Sequence, residues 1–137
     1  MKQLRIYVLA SLVIGGITVW GFTPDEEKFQ KMMKGAKAAT NSWKKNLEEK
    51  KAKPAEKDAR QVADLFEGMA KWWDGKKLGK PSKWSMESAA LASASADAAR
   101  KGDLAVAREK FDAYMKSCRE CHSAHREKVD GDYRFKY

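Results

Sequence analysis

Both cysteines and both histidines of this 137-residue chain lie between Cys118 and His125. The segment reads Cys118-Arg119-Glu120-Cys121-His122, which is C-x-x-C-H, the pattern that attaches a c-type haem. On a helix, two thiols at this spacing lie one turn apart on the same face. They can add to the two vinyl groups on one porphyrin edge. A histidine directly after the second cysteine is carried under the ring, where its imidazole can bind iron.

Other chemistries fit these residues less well. A structural zinc site using Cys118, Cys121, His122 and His125 would draw every ligand from one helix, whereas such sites join two elements. A thioredoxin-like C-x-x-C needs a βαβ context, and no strand-like alternation surrounds this motif. A disulfide would leave His122 without a role. Haem attachment accounts for all three residues.

Thioether ligation of this kind takes place outside the bacterial cytoplasm, so an export signal is expected. Lys2 and Arg5 form a basic leader, and Ile6 to Phe22 is almost wholly apolar. The expectation is a signal peptide over residues 1–21, cut after Gly21, and a periplasmic domain over 22–137. The alternative is an uncleaved membrane anchor, since the run matches the shortest spanning helices, roughly 17 residues.

The domain that must position the motif is rich in Ala, Lys, Glu and Met, and the chain has only three prolines. That composition favours helices. Its formal charge of +9 falls to +7 if Lys2 and Arg5 leave with the signal. A basic surface suits nucleic acid, anionic membrane or an acidic protein. With no nucleic-acid motif present, solvated lysines or an acidic redox partner are expected.

Thr23-Pro24-Asp25-Glu26 predicts a helix start with Thr23 as N-cap and Glu26 closing a capping box. Phe29, Met32, Met33, Ala36, Thr40, Trp43 and Leu47 follow at helical spacing, and the helix should run to about Lys51. Pro54 opens a second helix with Val62, Leu65, Phe66, Met69, Trp72 and Trp73 on its apolar face. It ends at Asp74-Gly75, and a basic loop follows to Pro81. Ser82 is expected to cap a third helix, rich in alanine and serine, that runs to Lys101. Its small residues suit either close approach of a neighbour or a generic alanine-rich helix.

Gly102 then stops the third helix and Asp103 caps the fourth. On that fourth helix Leu104, Ala107, Phe111, Met115, Cys118, Cys121, His122 and His125 share one face. Val129 to Tyr137 reads as a polar and aromatic tail. The fold class expected is all-α, an antiparallel four-helix bundle carrying covalent haem.

Gly102-Asp103-Leu104, continuing through Phe111 into the haem motif, resembles the last helix of the cytochrome c-prime family, the class II c-type cytochromes. Arg126, four residues after His122, matches a basic residue the family places near the haem. Trp84-Ser85 is similar to the start of the family's third helix. The resemblance implies a four-helix bundle with haem near one end, and it makes homodimers an expectation. Two positions depart from the pattern. His125 stands where the family has Phe or Tyr, and is read as a packing or surface residue. Phe29 stands where the family has a propionate-binding arginine, which leaves Lys28 or Lys31 as candidates.

Aligning Gln30 and the Met33-Lys34 pair with the family puts Met33 at the distal position opposite His122, with Met32 beside it. The metal ligands expected are therefore His122 and Met33, as in the family's low-spin branch. Thioether–imidazole ligation suits electron transfer, so a one-electron carrier between periplasmic redox proteins is the leading expectation. The alternative is a five-coordinate haem that binds nitric oxide or carbon monoxide, with Met33 only walling the pocket. A peroxidase would need a distal acid–base group, and His125 lies on the proximal helix. No enzymatic activity is expected.

Overall fold

The computed structural model describes residues 23–136; the signal or anchor expected over 1–21 lies outside them. Four helices follow one another: α1 (Pro24–Glu48), α2 (Ala52–Gly75), α3 (Gly79–Arg100) and α4 (Leu104–His125). Short turns join them, and successive helices pack side by side in an arrangement compatible with a four-helix bundle. Among the described residues no helix is long and apolar enough to cross a membrane.

Local chemistry sets the helix ends. Thr23 and Glu26 make the reciprocal capping box, with bonds of 2.9 and 3.2 Å. At the end of α3, Gly102 takes φ +80°. Its N–H donates to Ala99 O and that of Asp103 to Ala98 O, both at 2.9 Å, which is a Schellman motif. Asp103 then caps α4 by accepting from the Val106 N–H at 3.0 Å. α1 and α2 end in the same motif, but with Lys50 and Lys77 in the left-handed position at φ +56° and +59°. That turn stops α1 at Glu48, short of Lys51.

α2 and α3 begin two residues ahead of their prolines. Pro54 and Pro81 occupy the first turn, where a missing N–H costs no intrahelical bond. The N-cap of α3 is therefore Leu78, not Ser82. Ser82 is buried inside α3, and its hydroxyl donates to Ala70 O of α2 at 3.2 Å.

The small residues of α3 serve helix packing. Ala89, Ala92, Ala96 and Ala99 are buried between α2 and α4. Ser95 Oγ donates to Ala107 O at 2.7 Å, and the Ser88 and Ser117 hydroxyls pair at 3.0 Å. Each buried hydroxyl thus keeps a partner, which removes the desolvation penalty that would oppose such close approach.

The expected C-terminal tail is instead a β-hairpin. Strand β1 (Arg126–Val129) pairs antiparallel with β2 (Asp132–Phe135), Arg126 opposite Phe135 and Val129 opposite Asp132. The connecting residues Asp130 and Gly131 both have positive φ, +51° and +88°, as a two-residue type I′ turn requires. Phe135 anchors the hairpin against the bundle. Its ring lies 4.6 Å from Phe29, 4.8 Å from Trp73 and 5.4 Å from Trp72.

Candidate functional site

α1 and α4 meet at one end and part at the other. Trp43 packs edge-on against Phe111 at 4.7 Å, and the Thr40 and Tyr114 hydroxyls pair at 2.8 Å in a buried setting. Arg108 and Glu48 approach to 3.8 Å across the same seam. One turn further, the antiparallel register sets Ala36 opposite Cys118, with Met33 near the level of Cys121 and His122. A cavity of about 530 Å³ opens there, within the roughly 300–1,000 Å³ usual for cofactor and small-molecule sites.

α4 contributes Cys118, Cys121, His122 and His125 to the wall, all on the face turned toward the bundle. α1 contributes Phe29, Gln30, Met33 and Ala36. Phe66, Met69 and Trp73 of α2 and Trp84, Ser85 and Ser88 of α3 complete the sides. Tyr133, Arg134 and Phe135 of the hairpin close the end. Gln30 Nε2 donates to Tyr133 O at 3.3 Å, fastening α1 to that cover.

Cys118, Cys121 and His122 are thus brought to one chamber with Met33 from α1. Met32 is not. It packs the other way, its Sδ 3.3 Å from where a Cβ on Gly68 of α2 would stand. Arg126 borders the cavity from the first position of β1, its guanidinium 4.2 Å above the Tyr133 ring. Lys28 and Lys31, the cations considered for a propionate, do not line it; Lys34, Lys37, Arg126 and Arg134 do.

Burial governs the protonation of the motif. It pushes the Cys118 thiol up, against the opposing pull of the Tyr114 hydrogen bond and Arg119. Cys121 is pushed up to about 11, first by burial and then by Cys118. Burial, then the Arg126 charge, holds His122 below the ordinary imidazole value. At neutral pH the site presents two thiols and a neutral imidazole with a free lone pair. Redox-active cysteines have lowered pKa values, so these thiols lack the signature of a thioredoxin-like pair.

Among the described residues, no three His, Cys, Asp or Glu side chains gather where they could hold a metal ion. Both cysteines are free thiols. A flat, largely apolar group tethered at Cys118 and Cys121 fits the donor set and the aromatic walls. Basic groups stand ready for its polar edge.

Two wall elements escaped the sequence reading. Tyr114 is buried on the motif face, three residues after Phe111 and four before Cys118, where the sequence reading placed Met115 instead. The hairpin carried a usable signal, Asp130-Gly131 between two four-residue runs. No protein-family model matches this chain, and neither a curated protein nor a solved structure matches it.

Proposed function

We propose that this chain is an exported cytochrome with one covalent haem c, of cytochrome c-prime type. In this reading it carries single electrons between periplasmic proteins whose docking surfaces are acidic. The observation behind it is that Cys118, Cys121 and His122 open from α4 onto one cavity that Met33 borders from α1. When bound, haem supplies an iron that alternates between ferrous and ferric states and so accepts and passes on one electron.

The residues divide the remaining work. Cys118 and Cys121 hold the group by thioether bonds, so it cannot dissociate between partners. With the haem bound, His122 would offer a ring nitrogen and Met33 a thioether to the iron, and a soft sulfur ligand beside imidazole would favour the ferrous state and raise the potential. Phe29, Phe66 and Trp73 exclude water from the chamber. Lys34 and Lys37 at the rim, both exposed, attract acidic partners and speed their encounter. Pairing of two copies of the chain, and retention at a membrane through an uncleaved N-terminal segment, belong to the same proposal.

Acid–acetone extraction and visible spectra of protein matured with a c-type assembly system test it. The expected result is haem that stays with the denatured polypeptide and a low-spin oxidised spectrum. Haem released into the acetone would remove covalent attachment. A high-spin oxidised protein that binds carbon monoxide readily would replace the carrier with the five-coordinate gas binder.

A further inference from the structure

From Lys76 to Met86, across the turn between α2 and α3, the chain carries four lysines and no acidic residue. Lys76, Lys77, Lys80 and Lys83 are all exposed. Two of them meet a carboxylate: Lys76 pairs with Asp25, and Lys83 approaches Glu87 at 3.9 Å. Lys77 and Lys80 meet none among the described residues. Like charges gathered with so little counter-charge repel one another, and an anionic partner relieves that repulsion.

Trp84 joins this cluster to the chamber. Its side chain borders the cavity, and the Lys80 ammonium stands 5.1 Å from the centre of its ring, within cation–π range. Met86, two residues on, is 50% exposed and lies one helical turn from Lys83. It sets an apolar contact inside a charged field, the mixture that protein interfaces combine. Lys34 and Lys37 border the same chamber from α1, so the turn gives a second approach to it from α3.

We propose that an acidic redox protein docks on the α2–α3 turn and exchanges one electron with the haem across the Trp84 ring. This rests on the proposed haem attachment and adds where the partner sits. In the exchange a reduced partner gives one electron to ferric iron, which becomes ferrous, and the partner is left oxidised by one electron. The indole bridges the gap for tunnelling and is itself neither oxidised nor reduced. The lysines steer the encounter, and Trp84 shortens the path through empty space once the partner is seated.

Stopped-flow reduction of the full-length ferric holoprotein by reduced flavodoxin, an acidic one-electron donor, tests the face. A Lys77→Glu, Lys80→Glu variant should react about tenfold more slowly at low ionic strength, and the gap should close as salt is added. Lys53→Glu, Lys57→Glu makes the same charge change on exposed lysines at the start of α2 and should slow the reaction much less. Trp84→Leu should lower the limiting rate at saturating flavodoxin while the salt dependence, visible spectrum and midpoint potential stay as in wild type. Trp84→Phe, the milder change, should fall between the two and supplies the same comparison where leucine disturbs the haem spectrum. A turn variant that loses no more than the Lys53, Lys57 control would overturn the docking face. An unchanged limiting rate in both Trp84 variants would overturn the bridge. A turn variant that loses adsorption to anionic phospholipid vesicles but keeps the wild-type rate with flavodoxin would replace the protein partner with a membrane surface. Each of these outcomes leaves the covalent haem untouched, whereas a wild-type protein that matures without haem would overturn both.

Discussion

Met32 and Met33 are adjacent in the chain and serve different neighbours: Met33 borders the cavity, while Met32 Sδ lies against Gly68 of α2. Successive residues on a helix are turned about 100° apart, so only one of the pair can face α4. Met33→Ala should therefore abolish the weak near-red band of methionine-to-iron charge transfer, lower the potential and admit carbon monoxide. Met32→Ala should leave all three nearly unchanged. Effects that fall on Met32 instead would mean that α1 is rotated about its axis and turns Met32 to the iron.

Gly68→Ala probes the other side of that relationship. The new Cβ would meet Met32 Sδ at 3.3 Å, a tight contact with the far end of a flexible side chain. The thioether can give way, and replacing a mid-helix glycine gains up to about 1 kcal/mol. A small rise in stability, below about 1 kcal/mol by denaturant titration, is expected with an unchanged visible spectrum.

The three Schellman turns share one hydrogen-bond pattern but place Lys50, Lys77 and Gly102 at the left-handed position. Lys50 and Lys77 bear the Cβ strain that Gly102 avoids. Lys50→Gly and Lys77→Gly should each stabilise the protein by roughly 0.5–1 kcal/mol. Gly102→Ala should cost about 1 kcal/mol. No atom lies within 4 Å of the added methyl, so that loss is conformational. Chemical denaturation with constant m-value checks all three.

Asp25 joins the ends of α1 and α2. It accepts from Trp72 Nε1 at 3.0 Å and pairs with the Lys76 ammonium. That ammonium, ahead of the Trp72 N–H, holds its carboxyl below the ordinary value of 3.8. A carboxyl with a lowered folded pKa stabilises the fold above its unfolded value and loses that contribution as pH falls through the folded one. Between about pH 5 and pH 2 the wild type should lose more stability than Asp25→Asn. Parallel pH curves for the two proteins would contradict this role.

The cavity links cofactor to packing. With about 530 Å³ between α1 and α4, a Cys118→Ala, Cys121→Ala double variant matured without haem should melt lower than the holoprotein. Its far-UV circular dichroism should persist, because the helices also pack outside the chamber, as Trp43 does against Phe111. Its near-UV signal should weaken. Equal melting temperatures would show that nothing in the fold leans on the cofactor.

Features written in a few neighbouring residues were legible in the sequence by itself. The Thr23–Glu26 capping box, the Gly102 stop, the Asp103 cap and the one-turn spacing of Cys118 and Cys121 each depend on bonds or angles within a single turn of chain. Helical periodicity likewise exposed the faces that meet in the core. Tertiary packing decided the rest. Which of Met32 and Met33 borders the cavity depends on the rotation of α1, which Trp43 and Thr40 lock against α4. Ser82 became a strut to α2 instead of a cap because α3 starts earlier and uses Pro81 in its first turn. The strands Arg126–Val129 and Asp132–Phe135 are too short and polar to stand alone in water. They persist because Phe135 finds Phe29, Trp72 and Trp73, partners roughly sixty to a hundred residues away in sequence, and no local pattern can encode that meeting.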